Sequence, residues 1–381
     1  MEKELKVLMT GGHAGTTAIA TVQEFNSRNK TPRSDNRTST KIHWKQYWVG
    51  ASQALEGKTI PTIESSALPK LGVECHTIIS GKLQRRLSLW TLPSLIRVPL
   101  GFFHALLLLT SIKPDVVLSF GGFVALPVVV AAKILGIPII LHEQTVAVGL
   151  ANKLSSPFAE IVTLARPESK KYFTKKKTVL IGNPLMENII KVKPKKVMNV
   201  PPTLLVLGGS RGSQPINNMV AEILIPLLED FVVIHQTGHL DYAKFVEIKN
   251  RLDIKLSKRY DVYQTIDPMN IDNAYKASDI IISRAGANSV AEILTTKRPA
   301  ILIPLPFAYL DEQKKNALFA QNFGIASLLD QENTTSGDLL HEVRRVKSEW
   351  KNMVNRVIDK KSPDVNAASN IVRTVFQLLN K

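Results

Sequence analysis

Residues 116–141 constrain the fold more than any other part of the chain, because they contain a complete strand–turn–helix–strand pattern. Strands that are apolar throughout are typical of a parallel sheet covered on both faces. The stretch carries one charge, Lys133, and is long enough to span a membrane, but Pro127, Pro138 and glycines interrupt it where such a unit would turn. It therefore predicts a parallel α/β fold. In chain order its parts are the strand Val116–Ser119, the turn Gly121-Gly122, the helix Leu126–Leu135, Gly136 and the strand Ile139–Leu141.

A strand followed by a glycine turn also occurs near the start of the chain and again after its midpoint. A Lys/Pro-rich stretch, Lys191–Pro202, has the composition of a linker, and the pattern restarts after it. Two strand-then-glycine-turn starts predict two similarly wound domains. The polar and basic stretch Arg28–Trp48 is interpreted as a loop or a loosely ordered insertion. The other predicted elements are the strand Val7–Thr10 with a helix from about Thr16, the strand Leu204–Leu207 with the helix Ile216–Leu228, and the strands Val232–Gln236, Ile280–Ser283 and Ala300–Ile303.

Composition narrows the class of protein and its surroundings. At 381 residues the chain suits two ordinary domains, and its single cysteine, Cys75, excludes an internal disulfide framework. The start MEKELKVLMTGG lacks the long apolar region of a signal peptide, so we expect a cytoplasmic protein. The net charge of +17 predicts an anionic partner or surface. Nucleic acid is not expected, since zinc-finger spacing and aromatic RNA-binding motifs are missing from the sequence.

Each glycine turn lies where a strand ends and a helix begins. Glycines let a backbone approach a ligand, and the N–H groups of a helix start favour phosphate. Thr10–Thr17 (TGGHAGTT) and Leu207–Ser213 (LGGSRGS) both fit this description, although a plain tight turn remains an alternative for each. Neither contains a full GxGxxG or the lysine of a P-loop, which disfavours hydride transfer and the hydrolysis of nucleoside triphosphates.

Polar groups at predicted strand ends are candidates for chemistry. His13 follows Gly11-Gly12 near a helix start, which suits a proton acceptor, although an ordinary solvent-facing histidine is the alternative. His142, Glu143 and Gln144 follow the strand at Ile139, where they would line a cleft or be ordinary loop residues.

Two further stretches suggest contacts with a nucleotide sugar. Glu292 lies one turn into the helix after Ser283–Ser289, where a carboxylate can bind both hydroxyls of a ribose or act as a helix cap. Asp311–Asn316 offers amide and charged groups for sugar hydroxyls, or is a solvated helix start.

Lys82–Phe103 combines cations with apolar and aromatic residues, as expected at an anionic membrane surface. A buried helix with a basic solvent face is the alternative. The candidate membrane residues are Arg85, Arg86, Trp90, Leu95, Arg97, Phe102 and Phe103.

Five ordered motifs resemble those of the MurG family of bacterial glycosyltransferases. The resemblance extends from the first glycine turn to the Gln313 region, apart from Arg28–Trp48. The motifs are Lys113–Gln144 with its HEQ sequence, GLANK at Gly149–Lys153, IGNP at Ile181–Pro184, LGGSRGS at Leu207–Ser213, and SRAGANSVAEI at Ser283–Ile293.

The resemblance implies a GT-B fold, which is α/β, with two Rossmann-like parallel-sheet domains and a cleft between them. Residues 1–183 would be the acceptor- and membrane-binding domain, rejoined by the final helix at about 362–381, and residues 184–361 the UDP-sugar-binding domain. The implied reaction is inverting transfer of N-acetylglucosamine from UDP-N-acetylglucosamine to the 4-hydroxyl of an undecaprenyl-diphosphate-linked N-acetylmuramoyl-pentapeptide, at the inner face of the cell membrane. No cofactor or bound metal is expected, and other cell-wall synthesis enzymes are expected partners.

The resemblance also implies residue roles. His13 would be the general base, Glu292 the ribose ligand, and Ala287 and Gln313 the sugar ligands. The remaining assignments are Ser210, Arg211 and Gly212 with Gly11 and Gly12 on the donor side, and Gly121, Gly122, His142, Glu143 and Gln144 on the acceptor side.

The chain departs from the family pattern at several positions. Its first turn is shorter than GGTGGH and has no proline after the histidine, while Thr145, Met186 and Glu312 replace the usual Asn, basic residue and Gln or His. Two alternatives therefore stay open: a related transferase with another lipid acceptor, and a non-catalytic nucleotide-sugar-binding scaffold.

Overall fold

The computed structural model describes residues 2–12, 14–30, 41–51, 53–55, 58–78, 91–173, 177–209 and 212–380. The chain forms two compact units, the first comprising Met1–Met186 with Pro363–Lys381 and the second Glu187–Ser362. The strands are β1 (Glu2–Thr10), β2 (Lys41–Gly50), β3 (Gln53–Leu55), β4 (Lys58–Pro61), β5 (Glu74–Thr77), β6 (Val116–Ser119), β7 (Ile139–Glu143), β8 (Ile161–Leu164), β9 (Thr178–Leu180), β10 (Thr203–Leu207), β11 (Val232–Gln236), β12 (Tyr260–Tyr263), β13 (Ile280–Ser283), β14 (Ala300–Leu302) and β15 (Ala326–Leu328). The helices are α1 (Thr16–Lys30), α2 (Ile63–Ala67), α3 (Thr91–Ile112), α4 (Ala125–Ile134), α5 (Leu150–Ser155), α6 (Glu187–Ile190), α7 (Gln214–Glu222), α8 (Leu224–Asp230), α9 (Tyr242–Arg251), α10 (Ile254–Ser257), α11 (Ile271–Ala277), α12 (Ala287–Thr296), α13 (Glu312–Phe323), α14 (Ser336–Val357) and α15 (Ala367–Leu379).

Each unit is built on a parallel sheet with the strand order of a Rossmann fold. Within the described residues, the first sheet has the order β5-β2-β1-β6-β7-β8-β9 and the second β12-β11-β10-β13-β14-β15. All the pairings in both sheets are parallel. Each order runs outward from a central first strand and then reverses, so each sheet has a switch point at which open α/β folds bind ligands. The predicted parallel α/β class is confirmed.

The interpretation of Arg28–Trp48 as a loop was wrong at both of its ends. Helix α1 continues to Lys30, and β2 pairs with β1 in parallel from Glu2↔Lys41 to Thr10↔Val49. Residues 31–40 lie outside the described part of the chain. The polar and basic residues of β2 hid the strand in the sequence, although Trp44, Tyr47 and Trp48 are buried on it.

Two smaller expectations also needed correction. The predicted helix Ile216–Leu228 is two helices, α7 and α8, which meet at Ile223, a residue with non-helical backbone angles (φ −111°, ψ 14°). The stretch Lys191–Pro202 has the composition of a linker but belongs to the second unit. It is held there because Asp279 accepts hydrogen bonds from Lys195 Nζ (2.9 Å) and from the Asn199 backbone N–H (3.2 Å).

The core of each unit lies between its sheet and the helices that cover it. In the first unit, α3 and α4 pack Leu109, Val128 and neighbouring apolar residues against β6 and β7. In the second unit, the 22-residue helix α14 covers the sheet with a buried stripe at helical spacing, and a capping box of Thr335 and Asp338 begins it. The stripe is Leu339, Val343, Val346, Trp350, Met353, Val354 and Val357.

The chain returns to the first unit at Pro363 through a buried ion pair. Arg166 donates two hydrogen bonds to Asp364, from Nη1 to Oδ1 (2.6 Å) and from Nη2 to Oδ2 (2.9 Å). The backbone N–H of Asn183 also donates to Asp364 (2.7 Å). Gly182, with φ 87°, lies so close to the Pro363 carbonyl that a Cβ would clash with it. The IGNP motif therefore forms the contact site for the returning chain.

Candidate active site

Two glycine turns meet at the switch point of the first sheet. Gly11-Gly12 follows β1 and Gly121-Gly122 follows β6, and the Gly12 N–H donates to the Gly121 carbonyl (2.9 Å). Gly122 has φ 87°, and a Cβ on it would lie 2.7 Å from the Gly12 nitrogen. These four glycines thus form a single backbone surface at the strand ends, where a ligand can approach the main chain closely.

The start of α1 is already paired with a carboxylate of the protein itself. The Gly15 N–H donates to Oε1 of Glu64 (2.8 Å), a buried residue of α2. A carboxylate is favourable there, because it faces the positive end of the helix dipole. His13 lies outside the described residues. Because Glu64 already occupies the start of α1, the first glycine turn is a weaker candidate for binding phosphate than the turn of the second unit.

His142 is part of β7 and is fully buried, not exposed in a loop after it. Its Nδ1 lies 3.1 Å from Thr163 Oγ1, and its Nε2 lies 3.4 Å from Asn183 Oδ1. Burial, with a smaller contribution from the charge of Arg166, lowers the pKa of His142 to about 4, so the imidazole is neutral at neutral pH.

Glu143 is also buried, and its carboxylate organises the loop that follows. It accepts hydrogen bonds from the backbone and hydroxyl of Thr145 (3.1 and 3.0 Å), the Gly149 N–H (3.1 Å) and Asn152 Nδ2 (2.9 Å). Burial raises the pKa of Glu143, and these donors oppose that rise. The neighbouring Gln144 is half-buried and accepts from the hydroxyl of Thr17 (3.3 Å). His142 and Glu143 therefore stabilise the ends of the strands from buried positions.

The second unit carries its own glycine turn after β10. Ser210 and Arg211 of this turn lie outside the described residues. Gly212 has φ 78° and lies so close to the Thr237 carbonyl that a Cβ would clash. Ser213 is the N-cap residue of α7. Among the described residues, its side chain makes no capping hydrogen bond and its buried Oγ has no hydrogen-bond partner. The start of α7 therefore fits an anion better than the start of α1 does.

Glu292 lies on α12, next to the switch point of the second sheet. Glu292 is 8% exposed, and its carboxylate accepts a hydrogen bond from the Tyr275 hydroxyl (2.7 Å). Burial raises the pKa of Glu292 to about 7, while the hydrogen bond from Tyr275 acts to lower it. Ala287 is the first residue of the same helix and is half-buried.

Arg284 and Gln313 fix the loop between β14 and α13. Arg284 is buried and donates to the carbonyls of Ile303 (3.0 Å) and Pro304 (3.2 Å). The half-buried Gln313 accepts from the Leu305 N–H (3.0 Å) through Oε1, so its NH₂ group is left to donate elsewhere. This orientation suits a donor to sugar hydroxyls.

Helix α3 presents an apolar face to solvent. Leu100, Phe103 and Leu107 are 52%, 61% and 70% exposed and follow helical spacing, while Phe102 is half-buried. In the described part of the chain, no helix is both long and apolar enough to cross a bilayer. Arg85, Arg86 and Trp90 lie outside the described residues, and of Leu95 and Arg97 only the helical backbone is described.

Reasoning from the sequence missed several residues of these sites. Glu64 is 49 positions from Gly15, and Tyr275 is 17 positions from Glu292. Neither pair has a local pattern that would have revealed it. Arg284 lies inside a motif that the sequence did single out. Among the described residues, no cluster of three or more His, Cys, Asp or Glu side chains could hold a metal ion.

Comparison with known proteins assigns the family. Residues 58–164 match the N-terminal domain of glycosyltransferase family 28, and residues 203–371 match its C-terminal domain. A Clostridium botulinum protein is 31% identical over 97% of this chain and 98% of its own length. A Lachnoclostridium phytofermentans protein is 35% identical over 83% of this chain and 88% of its own length. Both are named UDP-N-acetylglucosamine--N-acetylmuramyl-(pentapeptide) pyrophosphoryl-undecaprenol N-acetylglucosamine transferase.

Solved structures agree on the fold. The crystal structure of Acinetobacter baumannii MurG superposes with a TM-score of 0.67 at 23% identity, covering 98% of this chain and 99% of that one. UDP-GlcNAc 2-epimerase from Neisseria meningitidis also has a TM-score of 0.67, at 16% identity, covering 98% of this chain and 100% of that one. The chain belongs to glycosyltransferase family 28, in the MurG family.

Proposed function

We propose that this chain transfers N-acetylglucosamine from UDP-N-acetylglucosamine to the 4-hydroxyl of an undecaprenyl-diphosphate-linked N-acetylmuramoyl-pentapeptide, converting lipid I into lipid II in peptidoglycan synthesis. The observation that carries the proposal is the similarity to transferases of that name along nearly the entire length of both chains. The two parallel sheets, each with a glycine turn at its switch point, provide the scaffold that such a reaction needs.

The second unit is the proposed donor-binding domain. Glu292 accepts hydrogen bonds from the ribose, and the turn with Ser210, Arg211 and Gly212 binds the diphosphate. The unpartnered Ser213 hydroxyl and the start of α7 support this assignment. Ala287 and the NH₂ group of Gln313 contact the sugar. The dipole of α7 stabilises the departing UDP, and this reaction does not require a metal.

The first unit is the proposed acceptor-binding domain. His13 takes the proton from the acceptor hydroxyl as that oxygen attacks the anomeric carbon and UDP leaves. On the surface formed by Gly11, Gly12, Gly121 and Gly122, the last two approach the acceptor and the first two contact the donor. His142 and Glu143, which are buried, and Gln144, which is half-buried, support that surface.

We further propose that the protein acts as a peripheral protein at the cytoplasmic face of the membrane. The exposed apolar face of α3 supports this, because Leu100, Phe103 and Leu107 would leave water on docking. The net charge of +17 would draw the protein to anionic lipid.

An acceptor panel tests the reaction. Purified protein is incubated with UDP-N-acetylglucosamine and, in parallel, with lipid I, diacylglycerol and a polyisoprenyl phosphate, and the products are identified by mass spectrometry. We expect the mass of one N-acetylhexosamine to be added to lipid I. Transfer to a different acceptor alone, or tight UDP binding without any transfer, would contradict the proposal.

The proposed base has a separate test. His13→Ala should lower turnover by a factor on the order of a hundred, because a general base typically contributes that much. UDP affinity, measured by calorimetry, should stay at the wild-type value, since the base contacts the acceptor. Near-normal turnover would exclude His13 as the base.

A further inference from the structure

The carboxylate of Glu292 is held by one phenol. Its Oε2 accepts from the Tyr275 hydroxyl at 2.7 Å, and both side chains are buried in the second unit. A carboxylate has about four acceptor positions, so one oxygen can be fixed while the other stays available. In the described part of the chain, Oε1 of Glu292 makes no hydrogen bond. The geometry thus presents one committed and one uncommitted oxygen.

Tyr275 is itself rigidly mounted. It is fully buried on α11, and its backbone carbonyl accepts from Arg298 Nε (3.0 Å) and from the Ser278 hydroxyl (3.1 Å). Burial, together with the Glu292 carboxylate, raises the pKa of Tyr275 well above its ordinary value, so the phenol keeps its proton. The direction of the hydrogen bond is therefore fixed, with Tyr275 as donor and Glu292 as acceptor.

A buried carboxylate without this donor would change in two ways. It would be free to rotate, and burial would push it further toward the protonated form, since the Tyr275 hydrogen bond is what opposes the effect of burial on its pKa. A protonated or rotated Glu292 accepts hydrogen bonds from ribose hydroxyls poorly.

We propose that Tyr275 is a positioning residue for nucleotide binding, whose hydroxyl fixes the Glu292 carboxylate in the orientation that accepts the ribose hydroxyls of UDP. The inference rests on the proposed function, in which Glu292 is the ribose ligand. Tyr275 acts through Glu292 and does not itself contact the nucleotide.

The test compares two nucleotides that differ only in the groups that Glu292 would bind. Calorimetry measures the affinities of UDP and 2′,3′-dideoxy-UDP for the wild type, Tyr275→Phe and Glu292→Ala. Both nucleotides titrate the same folded fraction of a variant, so the ratio of their affinities does not depend on partial unfolding. We expect the ratio of the affinity for UDP to the affinity for the dideoxy nucleotide to fall about tenfold in Tyr275→Phe, because the variant loses a hydrogen bond to a charged group. The affinity for the dideoxy nucleotide itself should change little.

Tyr260→Phe is the matched control. Tyr260 is also fully buried in the second unit, and its hydroxyl lies 2.9 Å from His235 Nδ1, so its hydrogen bond does not involve Glu292. This variant loses a buried phenol hydrogen bond of the same kind, so it should unfold at a lower temperature while its affinity ratio stays at the wild-type value. The Michaelis constant for UDP-N-acetylglucosamine should rise in Tyr275→Phe but not in Tyr260→Phe, with kcat little changed.

The outcomes separate the inference from the proposed function. Suppose that Glu292→Ala loses the preference for UDP over the dideoxy nucleotide. If Tyr275→Phe then keeps this preference, or loses the same affinity for both nucleotides, the proposed role of Tyr275 is wrong and the donor site stands. If the wild type does not bind UDP, or Glu292→Ala leaves the ratio unchanged, the assignment of Glu292 fails and the inference fails with it.

Discussion

At the scale of single residues, burial shifts two glutamates and two histidines toward their neutral forms. Burial raises the pKa of Glu143 and Glu292 and lowers the pKa of His142 and His235. The carboxylate of Glu143 holds the loop after β7 through hydrogen bonds, and that of Glu292 lies next to the switch point of the second sheet. The histidines form fixed hydrogen bonds inside the two units. Their opposite shifts also affect stability with opposite signs as the pH changes.

His235 offers a clear example, because its tautomer can be assigned. Asn217 donates through Nδ2 to the Thr237 carbonyl and to Asp241 (both 2.7 Å), so its Oδ1 faces His235 Nε2 as an acceptor (3.1 Å). Nε2 therefore carries the proton, and Nδ1 accepts from the Tyr260 hydroxyl (2.9 Å). An added proton on Nδ1 would oppose the Tyr260 donor.

The stability contributed by neutral His235 should decrease in acid. Burial lowers its pKa from 6.5 to about 3, so below pH 6.5 the unfolded chain takes up a proton that the folded chain refuses. Each pH unit between the two values costs about 1.4 kcal/mol, so the stability advantage of wild type over His235→Gln should shrink by about 2 kcal/mol from pH 6.5 to pH 5. Urea unfolding at the two pH values measures this difference.

The same pair of proteins supplies its own control at higher pH. Between pH 7.5 and 8.5 neither state of His235 gains a proton, so the difference in unfolding free energy should be constant. A difference that also stays constant from pH 6.5 to pH 5 would mean that the imidazole is accessible to water in the folded chain.

The residue contacts of the sites were the least predictable from sequence. The glycine turns could be located because glycine has a direct conformational meaning at a strand end. The partners Glu64 and Tyr275 could not, since each reaches its site through the tertiary fold from a different helix. His142 and Glu143 were expected to line a surface, but β7 continues for two residues past its apolar run and buries them.

At the scale of elements, apolar runs predicted strands well and mixed runs did not. Val116–Ser119, Val232–Gln236 and Ile280–Ser283 are strands over the predicted residues, because central parallel strands are buried on both faces. Strand β2 was missed, since its charged residues gave it the composition of a loop.

Helix α3 has the most testable surface among these elements. It buries Ala105, Leu109 and Ile112 against the first sheet while Leu100, Phe103 and Leu107 remain exposed. A helix that is apolar on two faces needs a second apolar environment.

Replacing Phe103 and Leu107 with serine should weaken binding to anionic lipid vesicles by about tenfold or more, because each side chain loses apolar area that membrane docking would bury. Vesicle co-sedimentation measures the change, and wild-type binding should also decline with added salt. Ile225→Ser is the control, since Ile225 is 55% exposed but lies on α8 of the second unit. Equal vesicle binding by the wild type and the double variant would remove α3 as the docking surface.

At the scale of the whole molecule, the chain starts in the first unit, builds the second and then returns to the first. The return is fixed by the buried pair of Arg166 and Asp364, next to Gly182 and Asn183. Helix α15 then packs on α1, where Arg28 donates to Ser369. The composition of the sequence placed a linker at Lys191–Pro202, but the junctions between the units lie at Met186 and Ser362.

Asp364→Asn should lower the free energy of unfolding of the first unit by about 3–5 kcal/mol, because it leaves the buried guanidinium of Arg166 without a counter-charge. Asp230→Asn is the matched control. Its ion pairs with Arg344 and Lys347 are partly exposed, and such pairs contribute about 0–1 kcal/mol. Urea unfolding followed by circular dichroism compares the two variants. If both lose the same small amount, Asp364 does not anchor the returning chain.

The central claim is that this glycosyltransferase moves N-acetylglucosamine to a lipid-linked N-acetylmuramoyl acceptor in one displacement. The most direct measurement is nuclear magnetic resonance of the product formed from UDP-N-acetylglucosamine and lipid I. A single attack inverts the α-linkage of the donor, so the account predicts a β-linked N-acetylglucosamine on the 4-hydroxyl of the muramoyl sugar. An α-linked product, or N-acetylglucosamine on any other hydroxyl, would contradict it.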